Sequence, residues 1–414
     1  MDPKNAVSPE TFALHGAYDT ARSEGALKPP LFGTSTFVAG SACELAGWFR
    51  QAYGLDTGSP SNPDGLIYSR LVNPNLQIFE ERWAKFERAD ASALCASGMA
   101  AISTALLTFC RPGDVVLYSA PVYGGTDYLM THLLPSFGIW TQAFLVTDTA
   151  EQVQTALVEA SRKGVVRVVY VESPANPTLA LADIPGIVKL CSVADPRPLV
   201  VVDSTVLGPV YHRPIEMGAD LVIHSATKSI GGHSDLIAGI VSGSTDLVTS
   251  IKATRTILGS MSDPNTAWLL CRSLETYKIR VEAAANKAIK VAEFLRRRPE
   301  VERLFFPGYM VDPAQIGRYS RQCTGHGSLM SFTVRGGREA AYRVLDGLRI
   351  VKLAVSLGST ESLAEHPRTH THSDVSEDDL DRFGVEEGMI RISVGVEDAD
   401  DVIDDLKRAL DLLA

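Results

Sequence analysis

Between residue 66 and about residue 265, short apolar runs rich in β-branched residues alternate with segments patterned like helices. The runs are VVLYS from Val115, VVRVVYVES from Val165, LVVVDS from Leu199 and ADLVIHS from Ala219. Strands that are apolar on both faces and separated by helix-length segments predict a mainly parallel sheet covered by helices. Residues 1–65 are rich in Gly, Pro and Ser, notably in GLDTGSPSNPDG before Leu66, and read as an arm. Residues 266–414 change character. A helical stretch, VEAAANKAIKVAEFLRR from Val281, is followed by strand-like LMSFTV from Leu329 and MIRISVG from Met389, which predicts a smaller α+β domain. In the closing DDVIDDLKRALDLL, residues Val402, Ile403, Leu406, Ala409, Leu410 and Leu413 make one apolar helix face. Acids stand at its start and Lys407 and Arg408 later, as the helix dipole favours.

Composition narrows the function. With 414 residues and 45% apolar content, the chain buries a large core in two or more domains. A net charge of -10 leaves no electrostatic footprint for nucleic acid or an anionic membrane, so a small-molecule partner is expected. The amino-terminal MDPKNAVSPETFALHG has no basic segment followed by an apolar stretch, and no apolar run is long enough to span a bilayer. A cytoplasmic enzyme is the expectation. The six cysteines are far apart and form no CxxC pair, so neither a metal nor a redox dithiol is expected.

One segment carries unusual chemistry. In ADLVIHSATKSIGGHSDLIAG, Lys228 directly follows an apolar strand and a Ser-Ala-Thr triplet. Alone it reads as a surface lysine at a strand end. An amine held there also suits a Schiff base with pyridoxal 5′-phosphate, because the imine holds the cofactor and the freed amine later moves protons. Upstream, VVVDST puts Asp203 at a strand's carboxyl end, where α/β sheets present ligand-binding groups. Asp203 suits a helix cap or turn, or a partner for a protonated pyridine nitrogen. In CASGMAAISTALLTF from Cys95, a Ser-Gly pair opens an apolar helix, and the Gly98 and Met99 amides suit a phosphate. Ser225 and Thr227 stand beside the lysine with hydroxyls for the same phosphate.

Together HSATKSIGGHSD, VVVDST, ASGMAA, APVYGGT, YSRLVNPN, ESPANPT, SLGSTESLAEHP and IRISVGVED resemble the Cys/Met-metabolism pyridoxal phosphate enzymes, from about Lys28 to the carboxyl end. The resemblance implies the fold type I, aspartate-aminotransferase-like architecture: a large mainly parallel domain at 66–265 and a small domain at 266–414. It also implies Lys228 as the Schiff-base lysine, Asp203 as the pyridinium partner, and Tyr123 as the stacked ring that assists proton transfer. The phosphate falls to Gly98, Met99, Ser225 and Thr227. Asn176, Ser356 and Arg391 fall to the substrate, with Arg391 clamping its α-carboxylate. Tyr68 and Arg70 reach into a neighbouring subunit's phosphate site, which implies a homodimer or homotetramer with shared active sites.

Several positions depart from the family's better-known members. Gly125 stands where methionine γ-lyases typically have a cysteine. Tyr128 and Val355 stand where cystathionine enzymes usually carry an arginine and often a glutamate. Ser204 replaces an asparagine, and Asn75 a threonine. The expected reaction is γ-elimination or γ-replacement on an amino acid with a neutral γ-substituent, as in a sulfur amino acid lyase or sulfhydrylase. The alternatives are a lyase that expels a γ-halide from an unsaturated amino acid to leave a terminal alkyne, and a cystathionine γ-synthase or γ-lyase. A non-catalytic cofactor-binding protein is disfavoured, because Lys228, Tyr123, Asp203 and Arg391 occur together.

Overall fold

The computed structural model describes residues 7–52 and 65–413, so the GLDTGSPSNPD part of the expected arm lies outside it. Seven strands form the larger sheet: β1 (Ala91–Cys95), β2 (Val115–Ala120), β3 (Trp140–Leu145), β4 (Val166–Glu172), β5 (Leu199–Asp203), β6 (Leu221–His224) and β7 (Gly239–Gly243). Their order is β1-β7-β6-β5-β4-β2-β3. Pairing from β3 to β6 is parallel, and β7 is antiparallel to both neighbours. The four apolar runs are β2, β4, β5 and β6 in the middle of the sheet, almost wholly buried. Covering both faces leaves no solvated side to alternate with polar residues.

β1, β3 and β7 carry weaker patterns. β3 is an edge strand with mostly half-buried residues, so it has no continuous apolar run. In β7, GIVSG looks like turn material, yet Gly239 is there for space. A Cβ at Gly239 would lie 2.1 Å from the Ser97 carbonyl oxygen, where β1 turns into the next helix. A side chain at 239 would therefore force that turn away.

Four helices position the rest. In α1 (Pro74–Glu87), Asn73 caps the start and Pro74 opens the first turn, and Phe79 and Trp83 are fully buried. Asn75 is buried as well: its Oδ1 accepts from the Phe32 amide at 2.8 Å and its Nδ2 donates to the Pro30 carbonyl at 2.9 Å, pinning the amino-terminal segment. α2 (Gly98–Phe109) is capped by Ser97. α3 (Tyr277–Leu295) buries Tyr277 in the core around α1 and Ala288, Val291, Ala292 and Leu295 in the core of a second sheet.

The second sheet has β8 (Val301–Phe305), β9 (Leu329–Val334), β10 (Lys352–Leu353), β11 (Leu363–Glu365) and β12 (Met389–Ser393) in the order β10-β11-β12-β9-β8. Only β10 and β11 pair in parallel. α4 (Ala399–Leu410) covers it, burying Val402, Leu406, Ala409 and Leu410, with Ile403 and Leu413 partly covered. Among the described residues no helix is long and apolar enough to cross a membrane.

Candidate active site

The carboxyl ends of β4, β5 and β6 and the start of α2 converge on a cavity of about 240 Å³. Its lining includes Gly98, Met99, Tyr123, Asn176, Asp203, Ser225, Thr227 and Lys228. Eight of the twelve residues singled out from the sequence therefore meet there. Ser356 and Arg391 stand behind them, joined by hydrogen bonds.

Lys228 Nζ donates to Ser356 Oγ at 2.9 Å. Burial pushes its ammonium down to about 8, helped by the neighbouring Arg391 and opposed by Glu365. Ser356 sits at φ +103, a region that non-glycine residues rarely occupy. The Arg391 guanidinium is buried and divides its donors three ways. Nη1 reaches Asn176 Oδ1 at 3.0 Å and Glu365 Oε1 at 2.7 Å, and Nη2 reaches the Ser356 carbonyl at 3.0 Å. Register explains the ion pair, since Glu365 and Arg391 are direct partners on β11 and β12. Because both are buried, removing either would strand the other's charge.

Asp203 ends β5, accepts from the Thr205 amide at 2.9 Å and from the Tyr170 hydroxyl at 3.2 Å, and is raised by burial. It has no ion-pair partner among the described residues. At α2, Ser97 Oγ accepts from the Ala100 amide and its carbonyl from the Ala101 amide, which leaves the Gly98 and Met99 amides at the open helix end. A Cβ at Gly98 would lie 2.9 Å from Ser225 Cβ. Thr227 Oγ1 donates to the Ala238 carbonyl at 3.1 Å and accepts from the Ala238 amide at 3.0 Å, which fixes the loop before Lys228.

Tyr68 and Arg70 are not in the cavity lining. Tyr68 is 40% exposed, and the Arg70 guanidinium lies 5.9 Å from its ring centre and donates to the Thr256 carbonyl at 3.0 Å.

The departures have structural consequences. A Cβ at Gly125 would stand 2.8 Å from Tyr123 Cε1 and 3.3 Å from Met99 Sδ, so any side chain there displaces the Tyr123 ring. Tyr128 is exposed and stacks on His132 at 4.6 Å. Val355 is also exposed. Ser204 bonds to buried His212 at 2.8 Å.

Sequence reasoning passed over Glu172, Thr205 and Glu365. Glu172 lines the cavity, accepting from the Tyr123 amide at 2.8 Å and the Asn176 amide at 2.9 Å, and burial beside Asp203 pushes it up to about 8. A signal existed for it, because it is the lone acid in VVRVVYVES and directly follows the apolar stretch Val168 to Val171.

The arrangement fits a flat, phosphorylated aromatic aldehyde. The Gly98 and Met99 amides suit the phosphate, the part-buried amine of Lys228 suits a carbonyl, and the buried Asp203 carboxylate suits a cationic ring nitrogen.

Comparison with known proteins agrees. A family model described as Cys/Met metabolism PLP-dependent enzyme matches residues 10–411. The chain is 39% identical over 407 residues to the L-methionine gamma-lyase of Pseudomonas putida, covering 97% of this chain and 96% of that protein. It is 35% identical over 388 residues to the O-succinylhomoserine sulfhydrylase of Pseudomonas aeruginosa, covering 94% and 91%. The crystal structure of cystathionine gamma-lyase from Lactobacillus plantarum complexed with L-serine matches with a TM-score of 0.86 at 32% identity, covering 98% of this chain and 99% of that one. The fold is therefore that of the fold type I enzymes expected from the sequence. With the match spanning nearly the whole chain, the protein belongs to the Cys/Met-metabolism enzymes that depend on pyridoxal 5′-phosphate.

Proposed function

We propose that the protein catalyses γ-elimination or γ-replacement on an amino acid whose γ-substituent is short and neutral, such as a sulfur amino acid. The observation that carries the substrate choice is the cavity wall. Beyond the polar groups, it is built from Met99, Ile102, Val206, Ile237 and Leu357. Its charged side chains are Glu172, Asp203 and Lys228, and neither Tyr128 nor Val355 adds a charge. Apolar walls favour a thioether, a thiol or a halide over a second zwitterion.

When bound, pyridoxal phosphate supplies an electron sink that stabilises negative charge developing at Cα. The protein's part is positioning and proton transfer. Lys228 is assigned as the residue that holds the cofactor, and its Nζ then moves protons at the substrate's Cα and Cβ. A group that titrates near 8 suits both directions of transfer near neutral pH. Asp203 is assigned to the ring nitrogen, and Gly98, Met99, Ser225 and Thr227 to the phosphate. Arg391, steadied by Asn176 and Ser356, orients the α-carboxylate. Tyr123 is assigned to ring stacking and to proton transfer at the leaving group.

Because Tyr68 and Arg70 stand outside their own chain's cavity lining, we assign them to a partner subunit's phosphate site in a homodimer or homotetramer. The cytoplasm is the proposed location, which fits six unpaired cysteines.

The test incubates purified holoenzyme with methionine, O-acetylhomoserine plus sulfide, cystathionine and a γ-halogenated allylglycine, and identifies the products. A keto acid with thiol marks elimination, a new thiol amino acid marks replacement, and an alkyne marks halide expulsion. Turnover of cystathionine alone would overturn the substrate reading.

A further inference from the structure

Glu172 is the buried acid of this site that has no role in the chemistry above. It ends β4, and its Cα partner in the parallel register is Asp203, at the end of β5. Both are buried, at 4% and 7% exposure. Its amide donates to buried Ser119 Oγ at 3.0 Å at the end of β2, which fixes its backbone. One oxygen takes the Tyr123 amide at 2.8 Å, and the other takes the Asn176 amide at 2.9 Å. A single carboxyl group thus spans the two loops that carry the stacking ring and the residue bonded to Arg391.

We propose that Glu172 is a positioning residue that couples the placement of Tyr123 and Asn176 to the charge beside Asp203. This rests on the reading that the cofactor's ring nitrogen pairs with Asp203. Two amide donors are best held by two carboxylate oxygens of equal acceptor strength, which the ionised form offers. A protonated acid turns one oxygen into a donor and weakens one of the two bonds. No cation pairs with Glu172 among the described residues, and the charged group that acts on it is Asp203. Tyr170, on its own strand, gives its hydroxyl to Asp203 instead. Arg391 from β12 reaches the side chain of Asn176, and His372 lies against the backbone of Val122 and Asn176.

Without a cation at Asp203, burial and the neighbouring carboxylate favour neutral Glu172, and its titration lies near 8. A cationic ring nitrogen at Asp203 offsets that repulsion. Glu172 then loses its proton, and both amides are drawn onto it. Cofactor arrival thereby orders Tyr123 and Asn176, and by linkage ionised Glu172 favours the cofactor. The sign follows: near neutral pH the cofactor-free enzyme holds a proton on Glu172 that the loaded enzyme does not.

The experiment is calorimetric titration of the cofactor-free enzyme with pyridoxal 5′-phosphate near neutral pH, in buffers of different ionisation enthalpy. It compares the wild type with Glu172→Gln. The wild type is expected to release about one proton more than the variant, because the variant's glutamine has no proton to lose and removes the like charge that would hold one on Asp203. Equal proton counts would overturn the proposal. A companion measurement needs no variant. Hydrogen exchange of the Tyr123 and Asn176 amides in the cofactor-free wild type, corrected for intrinsic rates, should slow between about pH 6 and about pH 9 as Glu172 ionises. Unchanged protection across that range would overturn it equally. If no visible band forms in the wild type, the cofactor reading itself fails. A normal band with equal proton counts rejects the role of Glu172 alone.

Discussion

The titration of Lys228 governs how fast the cofactor-free enzyme captures pyridoxal phosphate, because only the free amine attacks a carbonyl. Burial is the main cause that moves it from 10.5 to about 8. Repulsion from Arg391 adds to the displacement, and Glu365 opposes it. At about 1.4 kcal/mol per pH unit, the displacement disfavours the ammonium by about 3 kcal/mol. At pH 8 about half of Lys228 is then free amine, against roughly 0.3% of an ordinary lysine, an advantage of about 150-fold in reactive species. The folded protein binds fewer protons than the unfolded chain between about 8 and 10.5, so this group adds stability as pH rises through that window. The assay follows the visible band of the lysine-bound cofactor by stopped flow across pH, and a midpoint near 8 is expected. Arg391→Met removes the repelling cation and leaves Glu365 without its guanidinium partner, so the midpoint should rise. Glu365→Gln removes the opposing anion, so it should fall. A wild-type midpoint near 10.5, or shifts of the same sign in both variants, would refute the reasoning.

Three further outcomes follow from the site. Mixing inactive Arg70→Ala and Lys228→Ala subunits should restore activity, since a mixed dimer holds one intact site; no rescue despite demonstrated exchange argues against a shared site. Cystathionine should lag short neutral substrates in kcat/KM by about 100-fold or more, given roughly 3 kcal/mol for a buried charge left unpaired. Arg391→Ala should impair every substrate through their common α-carboxylate, and a variant that impairs only one would break that assignment.

The central strands were legible because β2, β4, β5 and β6 are buried on both faces and contain few residues that fit anywhere else. The edge strand β3 was not, because a half-exposed strand keeps polar residues such as Thr141 and Gln142. β7 was hidden by Gly239, whose missing side chain answers to the Ser97 carbonyl across the sheet and not to any local preference. The candidate site divides the same way. Lys228, Asp203 and the Gly98 turn stand at strand ends or a helix start, where local sequence marks them. The partnership of Arg391 with Glu365 depends on the register of β11 and β12, and the reach of Glu172 to two amides depends on loops meeting in space. Neither leaves a spacing in the sequence to read.

The central claim, that Lys228 carries the cofactor, is tested most directly by borohydride reduction of the holoenzyme followed by peptide mass spectrometry. The account predicts loss of the yellow colour and a stable pyridoxyl-phosphate label on Lys228 alone, with no label and no visible band in Lys228→Ala. A label on any other lysine, or a visible band that survives in Lys228→Ala, would contradict it.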